Sequence, residues 1–351
     1  MTITPNPPAQ GLRIGLLGAA AIAPSALIKP ASRNPRVTVT AVAARDRSRA
    51  EGFARKHGIP DVHTGYDALL EDPQVDAVYV PLPNGLHAEW TLKALRAGKH
   101  VLCEKPFTAN RAEAERVAEA AAEAFERSGL VVMEAFHYRH HPLAARMREI
   151  VESGELGELQ RVEAEVCFPL PRFSDIRYDY GLAGGATMDA GCYAVHVARL
   201  LGGGDPTVTG ARMLTLRKDP RVDRAMSAEL AFPSGVVGHV RASMWSRRLL
   251  SIRARAIGSA GELDVINFVM PQLYHRLTVR APRAEGGGVV RRERLSRTPS
   301  SYDCQLSAFA AAVLDKGPVI TSPADAVANM GVLDEIYRAC GLPVRGEPQE
   351  R

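Results

Sequence analysis

Short, unbroken apolar runs punctuate the first part of the chain, at residues 12–17, 37–43, 77–80, 100–103 and 130–133. Between them, residues 21–32, 48–57, 87–97 and 111–128 place apolar side chains three and four apart, the helical period. Strands that read as continuous apolar runs are buried on both faces, and strands alternating with helices build a parallel sheet. Five strands of a doubly wound α/β domain are therefore expected. Beyond residue 133 the period changes to two. Residues 160–168, 207–216, 225–232, 236–244, 251–258 and 273–280 alternate apolar with polar positions, with few helices between them. Turn pairs such as Ser234-Gly235 mark hairpins, and Gly286-Gly287-Gly288 is expected to turn another. This reads as an α+β domain with an open antiparallel sheet, followed by two late helices at 302–316 and 323–339. The division is drawn at 11–134 and 135–345.

A length of 351 residues exceeds one ordinary core and suits two domains. Hydrophobic residues make up 46% and charged ones 24%, the balance of a soluble globular protein. The net charge of +5 is small for this size. The most basic stretch, Arg291-Arg292-Glu293-Arg294, holds an acid and no aromatic. A surface that tracks phosphates needs a denser stripe, so no nucleic-acid partner is expected. Five scattered cysteines with no C-x-x-C pair argue against a disulfide framework and fit a reducing cytoplasm. Residues 1–10, with Pro5, Pro7 and Pro8, read as a frayed leader rather than a signal peptide. No apolar run is long enough to span a bilayer, so no membrane partner is expected.

Candidate chemistry starts at the end of the first strand. Gly15-Leu16-Leu17-Gly18-Ala19-Ala20-Ala21-Ile22-Ala23 fits the G-x-G-x-x-G/A turn, with Gly18 first, Ala20 second and Ala23 third. Gly18 allows the sharp turn, and Ala23 lets helix and strand pack closely. Ala20 adds a methyl where glycine is usual. The pyrophosphate would sit on exposed N–H groups where the helix opens, around Ala21 and Ile22. A nicotinamide dinucleotide is the expected cofactor, which makes 11–134 a dinucleotide-binding Rossmann domain. At the end of the second strand an acid bonds the ribose 2′-hydroxyl of NAD, whereas an arginine accommodates the 2′-phosphate of NADP. Arg45 stands there with Asp46 beside it, so NADP is favoured and NAD stays open.

Further segments follow in order. Asp76-Ala77-Val78-Tyr79-Val80-Pro81-Leu82-Pro83-Asn84-Gly85-Leu86-His87 leads into a helix, after which comes Val101-Leu102-Cys103-Glu104-Lys105-Pro106. Then come Met133-Glu134-Ala135-Phe136, Tyr138-Arg139-His140-His141-Pro142 and Gly184-Gly185-Ala186-Thr187-Met188-Asp189-Ala190-Gly191-Cys192-Tyr193. Together they resemble the glucose-fructose oxidoreductase / inositol dehydrogenase (Gfo/Idh/MocA) family over nearly the whole chain, with Glu104-Lys105-Pro106 as its hallmark. The resemblance implies a Rossmann domain followed by an open-faced sheet domain. It implies that the helix at 302–316 packs back on the first domain. It also implies that the exposed sheet face forms a homodimer or homotetramer, and an apolar open face would need such cover on physical grounds. Lys105, by the same resemblance, contacts substrate and nicotinamide ribose. The loop carrying Pro83, Asn84 and His87 passes under the nicotinamide. The family commonly has Asp and then His where this chain has Asp189 and Tyr193. Tyr193 is similar to the branch of glucose-fructose oxidoreductase, pentose dehydrogenases and dihydrodiol dehydrogenases, where a tyrosine is the acid/base.

Hydride transfer at a carbinol carbon needs a proton partner at its oxygen. Lys105 follows the fourth strand, at the sheet edge where ligands bind. Glu104 is expected to bond the cofactor ribose or to orient Lys105. Asp189 and Tyr193, four apart, share a face if a helix starts near Met188. Tyr193 is expected as proton donor or acceptor, Lys105 as the ammonium that lowers its pKa, and Asp189 as the substrate orienter. Asn84 also fits a helix cap. His196, Arg172 and Tyr138 are expected on the substrate side, and Arg172 and Arg177 suit an anionic group. His137, His140 and His141 lack zinc spacing and a carboxylate, so no metal is expected. The expected activity is NAD(P)-dependent hydride transfer to or from a sugar, polyol or cyclic diol. The competing expectation is a non-catalytic regulator that senses NAD(P) or a sugar. Loss of Lys105 or Asp189 would favour it, and both are present.

Overall fold

The computed structural model describes residues 11–282, 288–295 and 298–347. The first sheet contains β1 (Leu12–Leu17), β2 (Val37–Ala44), β3 (Asp61–Thr64), β4 (Ala77–Val80), β5 (His100–Cys103) and β6 (Val132–Glu134). All are parallel, in the order β3-β2-β1-β4-β5-β6. The order reverses between β1 and β4, which opens a crevice beyond their carboxyl ends. β4 is wholly buried, and β1 and β5 are buried but for one residue each, which is why they read as unbroken apolar runs. β3 is not among the five expected strands. Its Asp-Val-His-Thr lies at the sheet edge and carries no such run.

Helices cross between these strands. The first is a π-helical turn, Pro24–Ile28, that continues into α1 (Lys29–Ala31). It begins later than residue 21 because the chain is still turning there, and proline suits a first helical position. α2 (Arg47–His57), α3 (Tyr66–Leu70), α4 (His87–Arg96) and α5 (Arg111–Ser128) follow. Asp46 caps α2 and Asn110 caps α5 through their side-chain oxygens.

After α6 (Pro142–Glu152) the second sheet begins with β7 (Leu159–Cys167), and α7 (Cys192–Gly202) packs on it. The remaining strands are β8 (Thr207–Thr215), β9 (Asp223–Ala231), β10 (Val237–Ser243), β11 (Ser251–Gly258), β12 (Glu262–Ile266), β13 (Arg276–Pro282) and β14 (Gly288–Glu293). Their order is β14-β13-β12-β11-β7-β10-β9-β8. Every pairing is antiparallel except β7 with β10. The sheet is therefore mixed, a feature that residue alternation cannot report because both kinds of strand share a period of two. Gly286 and Gly287, the expected hairpin turn, lie outside the described residues. β13 and β14 on either side of them pair antiparallel.

One face of this sheet, with Val162, Ala164, Val166, Val240 and Ala242, is buried against α7. The open face is charged rather than apolar. Arg255 bonds Glu163 (2.8 Å) and Glu262 (2.9 Å), Arg253 bonds Asp264 (2.6 Å), and Arg241 bonds Glu165 (3.1 Å). Alternate positions of β7 supply carboxylates and the neighbouring strands supply guanidinium groups, so the face satisfies itself across strands.

Two late helices, α8 (Ser301–Asp315) and α9 (Pro323–Ala339), complete the chain. α8 lies against the first sheet. Its Leu306, Phe309 and Ala310 join Leu12, Ile14, Leu16, Ala26 and Leu27 in one buried cluster. Arg33 and Arg36 hold the same helix through Asp303 (2.6 Å) and Asp315 (2.7 Å). α8 thus delivers residues distant in sequence to the crevice.

A buried carboxylate fixes the turn before α7. Asp223 accepts four bonds: Thr187 N and Oγ1 at 2.7 Å each, the Tyr337 hydroxyl at 2.9 Å and Arg345 Nη2 at 3.0 Å. Gly185 (φ +140°) passes so close that a Cβ there would lie 2.2 Å from Asp223 Oδ1. Asp223→Ala would strand the fully enclosed Arg345 guanidinium. It is expected to cost about 3–5 kcal/mol, read from urea unfolding. A cost below about 0.5 kcal/mol, ordinary for surface changes, would show that this knot does not hold the turn.

Candidate active site

The loops that meet at the crevice leave the carboxyl ends of β1, β2, β4 and β5. Gly18, after β1, has φ +107°, a conformation that favours glycine. Its amide donates to Ala43 O (2.7 Å), Ala20 donates back to Gly18 O (2.8 Å), and Ala23 donates to Ala20 O (3.2 Å). Ala23 is fully buried, whereas Ala21 and Ile22 are exposed. Among the described residues no acceptor takes the amides of Ala21 and Ile22. A glycine turn followed by two bare N–H groups at a helix start fits a pyrophosphate.

The end of β2 fits a second phosphate. Asp46 accepts from the Arg49 amide (3.1 Å) and the Ser48 hydroxyl (2.8 Å), so its carboxylate is engaged in capping α2. Arg45 is exposed, and Arg49 reaches over the dinucleotide turn to Ala19 O (3.0 Å). Two guanidinium groups beside an engaged carboxylate suit the 2′-phosphate of NADP better than the 2′-hydroxyl of NAD.

After β4, Pro83 and Asn84 are half-buried. Asn84 does not cap a helix. Its Nδ2 donates to Ala183 O (3.1 Å), which ties this loop to the turn before α7. His87 does not face a cofactor. It is fully enclosed, and its ring nitrogens meet Leu82 O (2.7 Å) and Pro106 O (2.8 Å). Burial lowers its imidazole to about 4, against those two bonds. It is a strut between the β4 and β5 loops.

Glu104 and Lys105 follow β5. Glu104 accepts from the Tyr79 hydroxyl (2.5 Å) and from the Lys105 amide (3.2 Å), so it sets the lysine backbone. Burial raises its carboxyl, and Lys105 and Tyr79 oppose the rise. Lys105 Nζ donates to Asp189 Oδ1 and to Asp189 O, both at 3.1 Å. It also lies 5.1 Å from the centre of the Tyr193 ring. Asp189 sits on a π-helical turn, Thr187–Gly191, that runs directly into α7, where Tyr193 occupies the first turn. The helical stretch expected near Met188 thus brings Asp189 and Tyr193 to one lysine.

The charges differ from the sequence expectation. Burial disfavours the Lys105 ammonium, but Asp189, Cys192 and Glu104 together outweigh it and the pKa is raised. Burial likewise opposes the Asp189 carboxylate, while Lys105 and Arg177 hold its pKa down. Burial pushes the Tyr193 phenol well up, with Tyr302 and Glu104 adding to the shift. Lys105 lies over the ring face, and the phenol is raised overall rather than lowered as expected. An ammonium has three donors, and Asp189 takes two of those on Lys105.

The residues expected on the substrate side divide. Tyr138 and His196 lie in the interior, where the Tyr138 hydroxyl meets His196 Nδ1 (2.6 Å) and His196 Nε2 meets Asp325 (2.8 Å). Their polar atoms are satisfied by each other and by Asp325, so they brace α7 rather than line a pocket. Arg172 is exposed on its loop. Arg177 instead joins the cluster, 3.4 Å from Asp189 Oδ2.

Sequence reasoning weighed His137 only as a candidate metal ligand and missed its place beside Tyr193. Its Nε2 lies 3.1 Å from the Tyr193 hydroxyl, and its Nδ1 lies 2.9 Å from Ser301 Oγ at the start of α8. His140 meets Thr321 (3.4 Å) and His141 meets Thr298 (3.0 Å), so the three histidines have separate partners. Proximity of His137 to Tyr138 in the motif was the only signal, and it said nothing about Ser301, 164 residues away.

Residues 12–133 match the model of an oxidoreductase family with an NAD-binding Rossmann fold, GFO_IDH_MocA, and residues 144–264 match the GFO/IDH/MocA C-terminal domain. A D-xylose 1-dehydrogenase (NADP(+)) of Haloferax volcanii is 38% identical over 329 residues, 93% of this chain and 97% of that protein. A trans-1,2-dihydrobenzene-1,2-diol dehydrogenase of Sus scrofa is 36% identical over 65% of this chain and 66% of its own. A 3-ketoreductase from Actinomadura kijaniata, solved in complex with NADP and TDP-benzene, superposes with a TM-score of 0.83 at 33% identity, over 94% of this chain and 98% of that one. A nucleotide turn on β1, a lysine–aspartate pair across the crevice and a tyrosine beside them are thus found in a chain that matches both halves of one family: the protein belongs to the Gfo/Idh/MocA oxidoreductases.

Proposed function

We propose that this oxidoreductase uses NADP to move a hydride to or from the carbinol carbon of a sugar, polyol or cyclic diol, with Lys105, Asp189 and Tyr193 around the reacting oxygen. The observation that carries the reading is the convergence of those three side chains beside the β5 loop. Held through its pyrophosphate at the Gly18 turn, a nicotinamide nucleotide would supply or accept the hydride. Ala21 and Ile22 offer their amides to its pyrophosphate, and Arg45 takes the 2′-phosphate. Lys105 holds the substrate oxygen with its remaining N–H, Asp189 fixes the ammonium, and Tyr193 exchanges the proton. Asp189 and Lys105 are both engaged in the site, which supports turnover rather than sensing alone.

Screening sugars, polyols and cyclic diols against NADP and NAD, by absorbance of the reduced nicotinamide, tests this reading. No turnover with any of them, together with no calorimetric binding of either nucleotide, would sink it. Arg45→Ala is expected to weaken NADPH binding by about ten- to a hundredfold, the worth of a charge-assisted bond, and to spare NADH. Equal losses for both nucleotides would move the 2′-phosphate elsewhere.

We propose the open face of the second sheet as the contact of a homodimer or homotetramer. Exposed Leu214 and Val237 stand among its charges and support this. Five cysteines without disulfides support a reducing cytoplasm. No helix among the described residues is long and apolar enough to cross a membrane.

A further inference from the structure

A chain of hydrogen bonds behind Tyr193 has a direction that its end fixes. The Ser301 amide donates to Gln272 Oε1 (3.4 Å), and an N–H can only donate, so that atom is the amide oxygen. The same oxygen lies 2.9 Å from Ser301 Oγ, and only the hydroxyl can supply the proton between them. Ser301 Oγ must then accept from His137 Nδ1, 2.9 Å away. His137 therefore carries its ring proton on Nδ1. Its Nε2 is a bare lone pair, 3.1 Å from the Tyr193 hydroxyl, which must be the donor there.

A phenol gains a bond from that lone pair, whereas a phenolate would be repelled by it. We propose that His137, locked by Ser301 and Gln272 with its proton on Nδ1, is a positioning residue that keeps Tyr193 protonated and holds its single hydroxyl proton until that proton turns from Nε2 to the substrate oxygen. The inference rests on Tyr193 as the acid/base of the proposed reaction.

Other groups face this pair. The β5 end presents Glu104 and Lys105, the turn into α7 presents Asp189 and Cys192, and α8 presents Tyr302. From the His137 side come Tyr138, His140 and His141. Lys105 alone among these favours a phenolate by its charge, and it lies against the ring rather than at the hydroxyl. Burial and Lys105 hold the His137 imidazole down at about 3, so it stays neutral and needs one tautomer assigned.

The experiment is an ultraviolet difference titration of tyrosinate, taking the full chain against its Tyr193→Phe counterpart, which isolates one phenol. Ser301→Ala removes the lock and lets His137 turn its proton to Nε2, where it donates to the phenolate. The phenol is expected to titrate at least about one unit lower, tenfold in proton affinity. The alkaline fall of the reductive kcat/KM should move with it. His137→Gln, whose amide also donates, should shift the titration in the same direction and guards against misfolding of the first variant. Gln272→Glu retains the acceptor but adds a negative charge, so the phenol should titrate no lower than in the parent, and a fall there too would overturn the lock. An unmoved phenol in both Ser301→Ala and His137→Gln overturns the proposal. Failure of the acid/base reading looks different: Tyr193→Phe itself would keep full turnover, whatever the titrations show.

Discussion

Lys105→Met is expected to lower kcat by at least about a thousandfold, the combined scale of a lost electrostatic clamp and impaired proton transfer. The lysine touches both other members of the cluster, through a 3.1 Å bond to Asp189 and the face of the Tyr193 ring. Methionine keeps much of the stem but has no charge to set against a developing alkoxide. It also leaves Asp189 with Arg177 alone, at 3.4 Å. NADP affinity should fall far less than turnover, because the Gly18 turn and Arg45 stand on other strands. Calorimetry with NADP, paired with steady-state rates on the best substrate of the screen, separates the two effects. A variant that keeps a tenth or more of the wild-type kcat, against the scale expected for such a clamp, would remove Lys105 from the reacting centre.

The part of this site carried by short motifs is legible in the sequence. Glu104-Lys105 lies just past a buried strand, and Asp189 and Tyr193 lie four apart in one helical run, so local geometry alone brings them near the crevice. The strands that escaped notice, β3 and β12, are about as short as β4 and β5 but carry no unbroken apolar run to announce them. Polar residues misled in a consistent way. His87, Tyr138 and His196 look like pocket groups in a sequence, yet each is enclosed and bonded to protein partners. Whether a buried polar atom faces a ligand or a carbonyl depends on packing, which a one-dimensional pattern does not carry. The Gln272–Ser301–His137 chain was invisible for a related reason. It exists because α8 folds back on the first sheet, a long-range contact that no spacing encodes. The engagement of Asp46 in capping α2 is by contrast local, with partners two and three residues on, and it strengthens the preference for NADP that Arg45 had already set.

Tyr193→Phe is expected to lower kcat by about a hundred- to ten-thousandfold in both directions, the range for losing a placed acid/base, with substrate KM little changed. The pH dependence carries the sign. Burial holds the phenol pKa well above the ordinary tyrosine value, so the phenol is protonated throughout the neutral range. As an acid it is then ready for a carbonyl oxygen. The reductive kcat/KM should stay flat through neutral pH and fall only above about pH 10, where an ordinary tyrosine already ionises. In the oxidative direction the phenolate is the competent form, so kcat/KM should climb with pH toward the same limit. His137, lowered to about 3, does not titrate in that window and should add no inflection near neutrality. The variant should lose both limbs, since no other group around the oxygen is poised to replace the phenol. Lys105 is held in its charged form by Asp189, and Asp189 is held ionised by Lys105 and Arg177. A reductive profile with a break near 6.5, the ordinary histidine value, that persists in Tyr193→Phe would assign the proton to an imidazole instead.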